Sequence, residues 1–183
     1  LYPGRFKADP AVLTELGVQK EDYVIIRFVA WNAFHDRSEY GMTQQQRIEL
    51  VSLVRNYKKV YICAENEMPG ELQPYQFPLP PHRFHDALAF AHTCISEGAT
   101  TAAEAVWTGS PAVLLNPFNL GYIKDAEQYG ALVQKKSYRQ TGLQFWQHVL
   151  QQPKSVYKDA IEKYRHDNID STSFMEQYLL SYR

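Results

Sequence analysis

Apolar runs alternate with amphipathic stretches along the chain, and that alternation sets the expected order of elements. Tyr23-Val24-Ile25-Ile26-Arg27-Phe28-Val29-Ala30 is almost continuously apolar, as suits a strand buried on both faces of a parallel sheet. Ahead of it, Asp9-Pro10 and then Ala11 to Gly17 read as a short capped helix that ends at glycine. Trp31 to Met42 has no periodicity and reads as a loop. Thr43-Gln44-Gln45-Gln46 has the spacing of a capping box, so a helix is expected there, with Leu50, Val51, Val54 and Tyr57 on one face. Val60 to Ala64 is the second predicted strand. Glu65 to Pro81 carries five prolines and is expected to be extended loop. A helix over about 83–91 leads into strand three, His92 to Ser96. A small-residue helix, Ala102 to Thr108, precedes strand four, Ala112 to Leu115; a short helix, Lys124 to Tyr129, precedes a last strand, Ala131 to Val133.

From Tyr138 onward the pattern is helical. Trp146, Val149 and Leu150 form one stripe; Val156, Tyr157, Ala160, Ile161 and Tyr164 a second; Phe174, Tyr178 and Leu179 a third. Strands that alternate with helices fold as right-handed βαβ units. The expected class is therefore α/β: a Rossmann-like parallel sheet flanked by helices over 1–137, with a helical tail over 138–183 packed on it. Ligands of such sheets bind beyond the carboxyl ends of the strands. That directs attention to the loops 31–42, 65–81, 97–101 and 116–122.

Composition narrows the function classes. With 183 residues, 45% of them hydrophobic, the chain has enough apolar material for a core. Nineteen Lys and Arg against 20 Asp and Glu leave a formal charge of −1. No net field favours nucleic acid, and at most peripheral membrane contact is expected. No apolar stretch reaches the roughly 18–20 residues that span a bilayer. Cys63 and Cys94 lie in apolar runs, which suits reduced thiols and a cytoplasmic location. The chain opens on Leu1-Tyr2-Pro3-Gly4-Arg5 without an initiator Met, as expected of a piece of something longer.

The most informative loop is Ser96-Glu97-Gly98-Ala99-Thr100-Thr101-Ala102-Ala103-Glu104-Ala105. It joins a strand to a helix, so the first helical amides and the helix dipole offer an anion site suited to phosphate or diphosphate. Thr101-x-x-Glu104 also has capping-box spacing, in which Glu104 would bind the Thr101 backbone instead of a ligand. The P-loop lysine and the GxGxxG spacing are both absent. His82-x-x-His85 has no third ligand at a recognisable spacing, so no metal is expected. His85-Asp86 is expected to cap its helix. Glu65, ending strand two, points at the same edge.

Gly98 to Ala105, followed by Gly109-Ser110-Pro111-Ala112-Val113, resembles the signature of the C-terminal domains of GT-B-fold glycosyltransferases and UDP-N-acetylglucosamine 2-epimerases. The wider pattern is closest to a family of uncharacterised GT-B-like proteins. It adds Arg27-Phe28-Val29-Ala30-Trp31 with His35-Asp36, Pro80-Pro81-His82 with His85-Asp86, and Asn116-Pro117-Phe118. The resemblance runs from residue 5 to about 122. It implies a domain that holds a UDP-sugar as substrate, with no further cofactor. By that resemblance Gly98, Ala99, Thr100 and Thr101 take the diphosphate and Glu104 the ribose. His82, Arg83 and Phe84 border the base; Trp31, Asp36, Asn116 and Asn119 lie near the sugar; His35 and Glu65 are the catalytic candidates. An N-terminal half, absent from this chain, would supply the unknown acceptor, so this chain alone would bind without turnover. In the related epimerases an arginine directly follows the loop histidine; here Asp36 follows His35 and Arg37 stands two residues on. Glycosyl transfer is the leading expectation. UDP-sugar 2-epimerisation and a non-catalytic nucleotide-binding domain are the alternatives.

Overall fold

The computed structural model describes residues 5–31 and 41–182. Five strands form one parallel sheet: β1 (Tyr23–Phe28), β2 (Lys59–Ala64), β3 (Thr93–Ser96), β4 (Ala112–Leu115) and β5 (Leu132–Lys135), in the spatial order β2-β1-β3-β4-β5. Gln76 makes an isolated parallel bridge to Ile62, and Phe77 N–H donates to the Ile62 carbonyl at 2.8 Å. The proline-rich loop thus lends β2 a one-residue outer neighbour, since its prolines forbid a longer ladder.

Side-chain alternation divides the sheet into two faces. Val24, Ile26 and Phe28 of β1 face α2 (Gln44–Val54) and α6 (Leu143–Gln151), which supply Leu50, Val51, Val54, Trp146, Val149 and Leu150. Tyr23 and Ile25 face the other core. It is closed by α1 (Ala11–Leu16), α3 (Phe84–Phe90), α4 (Ala99–Thr108), α5 (Gly121–Gln128) and α7 (Lys158–Asp167). Arg27 shares that second face by alternation. The order reverses between β1 and β3, which makes the gap beyond their carboxyl ends the topological switch point.

Several sequence expectations hold in detail. The α2 box forms as read, with Gln46 N–H donating to Thr43 Oγ1 and Thr43 N–H to Gln46 Oε1. Gly17 closes α1 at φ 62, a left-handed turn that glycine adopts without strain. The tail differs. Its first stripe is buried, as are Ile161 and Tyr164 of the second, whereas Val156 is exposed. The third stripe, on α8 (Ser171–Leu180), lies open, with Phe174, Tyr178 and Leu179 each more than half exposed. Arg5 fixes the start of that helix through Asp170 at 2.7 Å and Ser173 at 2.8 Å. No described helix is long and apolar enough to cross a membrane.

Candidate functional site

The site grows out of the end of β3. The Ser96 hydroxyl accepts from Gly98 N–H at 2.9 Å and donates to the Gly98 carbonyl at 2.7 Å, pinning the turn from both sides. A Cβ on Gly98 would stand 3.1 Å from Val29 Cγ1, so glycine lets the exit of β1 press against this turn. Gly98 is then the N-cap of α4, and no side chain caps that helix. The Thr101–Glu104 box therefore does not form, because the helix starts at Ala99 and leaves Thr101 already inside its first turn. Its first internal bond runs from Ala102 N–H to the Gly98 carbonyl at 3.2 Å. Among the described residues, the N–H groups of Ala99, Thr100 and Thr101 have no partner.

Those amides open into a cleft of about 830 Å³, walled by the carboxyl ends of β1 to β4. Val29, Ala30 and Trp31, Glu65, the 97–101 turn with Glu104, and the segment from Asn116 to Tyr122 all contribute to it. A second chamber of about 640 Å³ lies between the end of β2, the proline-rich segment and α3, with Phe77, Leu79 and Phe84 on its apolar side. Arg27, Thr101 and Glu104 border both spaces.

Two arginine–glutamate pairs organise the charge. Arg47 Nη2 meets Glu97 Oε2 at 2.7 Å and the Val29 carbonyl at 3.0 Å, and its guanidinium lies 4.7 Å from the centre of the Phe28 ring. Glu97 also accepts from Val29 N–H at 3.2 Å and Met42 N–H at 2.6 Å, so it ties together backbone on both sides of the loop that follows β1. Burial pushes the Glu97 carboxyl above its usual range, against the opposing pull of Arg47 and the two backbone donors. The second pair joins Arg27 Nη2 to Glu65 Oε1 at 2.7 Å, while Glu65 Oε2 accepts from Ala30 N–H at 2.9 Å.

Trp31 forms part of the cleft wall with unusual backbone. Its φ of 54 is rare for an aromatic residue, and its indole nitrogen is buried without a partner. A Cβ on Gly41 would fall 1.9 Å from that nitrogen, so only glycine leaves room for the ring. On the other side the ring meets Phe118, with centroids 6.1 Å apart.

The structure brings together Glu65, Gly98, Ala99, Thr100, Thr101, Glu104, Trp31 and Asn119 at one cleft, with Phe84 in the adjoining chamber. His35 and Asp36, with Asn32 and Arg37, lie outside the described residues. Four expected side-chain placements change. Arg83 turns away from the chambers, because Glu15, Asp9 and Asp86 hold its guanidinium at 2.6, 3.0 and 2.6 Å. His82 beside it is exposed and lines neither space. Asn116 borders the cleft, but its amide donates to the Glu97 carbonyl at 2.8 Å and accepts from Phe118 N–H at 2.8 Å, so it shapes the loop. Asp86 does not cap α3 either; it accepts from Asp9 N–H and Arg83. His85 Nε2 lies 3.4 Å from Glu104 Oε2, without the geometry of a hydrogen bond.

Arg27, Arg47 and Glu97 emerge only in three dimensions. Arg47 follows the Thr43 cap by four residues, one helical turn, a spacing that aims it back at the strand ends. Cys63 and Cys94 are free thiols on strands separated by β1; burial pushes Cys63 up to about 12, far from a thiolate at neutral pH. Among the described residues no group of three or more His, Cys, Asp or Glu is placed to hold a metal ion.

No protein-family model matches the chain, and no curated protein matches it in sequence. Solved structures do match. One is a structure from Listeria monocytogenes described as a UDP-N-acetylglucosamine 2-epimerase, at TM-score 0.53 and 15% identity, over 87% of this chain and 42% of that one. Another is the glycotransferase of kitacinnamycin, at TM-score 0.53 and 11% identity, over 90% of this chain and 41% of that one. The chain thus spans about two fifths of the length of each. At such identities the likeness is one of fold, and that fold is GT-B-like.

Proposed function

Taking the GT-B-like fold as premise, we propose that the cleft beyond β1 and β3 binds a nucleoside-diphosphate sugar, a UDP-sugar by preference, for glycosyl transfer. The observation that carries this reading is the uncapped start of α4. Three amides without a partner among the described residues border an open cleft at the switch point, and Glu104 stands one turn further on. The amides and the helix dipole would hold the diphosphate and stabilise the charge that grows on it as the glycosidic bond breaks. Glu104 would accept from the vicinal ribose hydroxyls, for which a carboxylate has two suitably spaced oxygens. The apolar chamber against Phe84 would receive the base, and the wall at Trp31 and Asn119 would border the sugar. An acceptor, and the domain presenting it, would come from outside this chain.

Calorimetric titration with UDP and UMP tests the reading. UDP is expected to bind at least tenfold more tightly than UMP, and equal, negligible affinity for both would refute a diphosphate site. Glu104→Ala is expected to weaken UDP more than inorganic pyrophosphate. A second reading keeps the donor and changes the reaction to epimerisation at C2 of the sugar, favoured by the Glu65 carboxylate at the cleft wall. Product analysis separates them: free UDP with a transferred sugar against an isomerised UDP-sugar.

A further inference from the structure

Arg165 of α7 carries a half-buried guanidinium that no protein acceptor satisfies. Among the described residues no hydrogen bond or ion pair reaches it, and its Nε is buried without a partner. Burial pulls its pKa below the ordinary value, with Glu162 as the opposing charge. An arginine withdrawn from water this far is normally paired. The carbonyl end of α4 explains part of its placement, since that end of a helix attracts cations. A Cβ on Gly109, the C-cap of α4 at φ 108, would stand 3.8 Å from Arg165 Nη1. The helix end gives the guanidinium no hydrogen bond, however. The Ala105 carbonyl accepts from the N–H groups of Gly109 and Ser110, and the Val106 carbonyl from that of Gly109.

The guanidinium borders a third cavity, of about 340 Å³, that shares no lining residue with the two chambers already described. It lies at the carbonyl ends of α3 and α4, against the start of α7. Lys20, Lys154, Lys158 and Arg165 line it, against Glu21 and Glu162. Each glutamate already faces an exposed lysine, Lys20 to Glu21 at 3.7 Å and Lys158 to Glu162 at 3.9 Å. Lys154 spends its three N–H donors on the Ala89 and Ala91 carbonyls and Ser110 Oγ. That leaves the donors of Arg165 to whatever enters.

We propose that this cavity is a phosphate site distinct from the cleft, in which the Arg165 fork takes the phosphoryl oxygens while Lys154 and Lys158 lend charge. The inference does not depend on the diphosphate reading. A guanidinium fork matches phosphate oxygens in two-point geometry. With Lys154 charged, the lining has two cations more than carboxylates, which matches the charge of a phosphate monoester, about −1.5 to −2 at neutral pH. A carboxylate would leave one of them uncompensated. A dianion beside Lys154 in turn favours the charged form of that amine. The volume falls at the lower end of the range for small-molecule pockets, about 300–1,000 Å³. Ala89, Phe90 and Ile161 give it an apolar side that suits the organic part of a small phosphomonoester.

Calorimetry of the 183-residue chain at pH 7 with inorganic phosphate, phenyl phosphate and benzoate tests the site. Both phosphates are expected to bind, with benzoate at least tenfold weaker. Tighter phenyl phosphate would point to a monoester and tighter inorganic phosphate to the free ion; either order upholds the site. Benzoate as tight as phenyl phosphate would overturn the assignment. Arg165→Met is expected to weaken both phosphates about 10- to 100-fold, the usual loss for a charge-assisted contact, and to leave UDP affinity unchanged. Lys158→Gln, at an exposed position, should weaken them about threefold and carries the test if Arg165→Met fails to fold. Phosphate binding that neither substitution alters, or no phosphate binding by wild type, would overturn the inference and spare the cleft. A further readout separates a ligand site from a structural arginine. Without phosphate, Arg165→Met should unfold at the same denaturant concentration as wild type or a higher one, because it removes an unpaired charge. A lower midpoint would show that the protein itself satisfies the guanidinium, and would overturn the inference.

Discussion

The two edges of the sheet use similar polar groups to opposite ends. At the amino edge, Lys154 is 7% exposed and donates to the carbonyls of Ala89 and Ala91 at 2.8 Å each and to Ser110 Oγ at 2.7 Å. Ser110 in turn donates to the Leu88 carbonyl at 2.6 Å, and the His92 ring meets the Val149 carbonyl at 3.1 Å. The Lys154 amine thus closes the carbonyl end of α3. At the carboxyl edge the opening amides of α4 and the indole nitrogen of Trp31 have no partners among the described residues. Amides left open beside a cleft are free to bond water or a ligand, whereas buried polar groups are nearly always bonded within the protein. The saturated Lys154 cluster holds the tail onto the sheet; the open amides border the cleft.

The largest expected effect tests the exception at the open edge. Glu97→Ala leaves the Arg47 guanidinium without its counter-charge and strands two backbone donors, so chemical denaturation should report a loss of about 3–5 kcal/mol. A loss below about 1 kcal/mol would mean that Glu97 does not organise the exit of β1.

At the closed edge, burial drags Lys154 from an ordinary 10.5 to about 7. Between those values the unfolded chain carries a proton that the folded chain lacks. Stability contributed by this group is therefore least at acid and neutral pH and rises as pH climbs from about 7 toward 10.5, by at most about 1.4 kcal/mol per pH unit. Denaturant midpoints measured across that range should show the rise in wild type, and Lys154→Met should flatten it.

Two helices that begin at the carboxyl edge sharpen the comparison further. Thr43→Ala removes the cap of α2 and should cost about 1 kcal/mol of stability. Thr101→Val, in the uncapped first turn of α4, should change stability by less than about 0.5 kcal/mol while weakening UDP. Equal losses of stability at the two positions would show that α4 is capped after all.

Most of the architecture was legible because it depends on periodicities the chain displays openly. β1 and β4 announce themselves as apolar runs, and α2 by a cap whose two halves are both in sequence. The start of α4 was read late because its cap is the backbone of Gly98, which carries no side-chain signal. The Phe174, Tyr178 and Leu179 stripe shows a different limit: spacing defines a face but says nothing of whether another surface covers it. At the site, the glycine turn and Glu104 could be found from their strand–turn–helix context. Arg83 could not be placed, since the Glu15 and Asp9 carboxylates that capture it come from more than sixty residues earlier. Glu97 was hidden for the opposite reason. A glutamate reads as surface until the guanidinium and the backbone donors that surround it are assembled by folding.

The left-handed turn at Trp31 carries an optical consequence. Its indole sits on the cleft wall with a dry nitrogen, whereas Trp146 is sealed inside the core and Trp107 packs on Tyr164, and neither lines the cleft. A polar guest settling on that wall would change the surroundings of one fluorophore in three, so the shift in its emission serves as a built-in gauge of occupancy, with no label added.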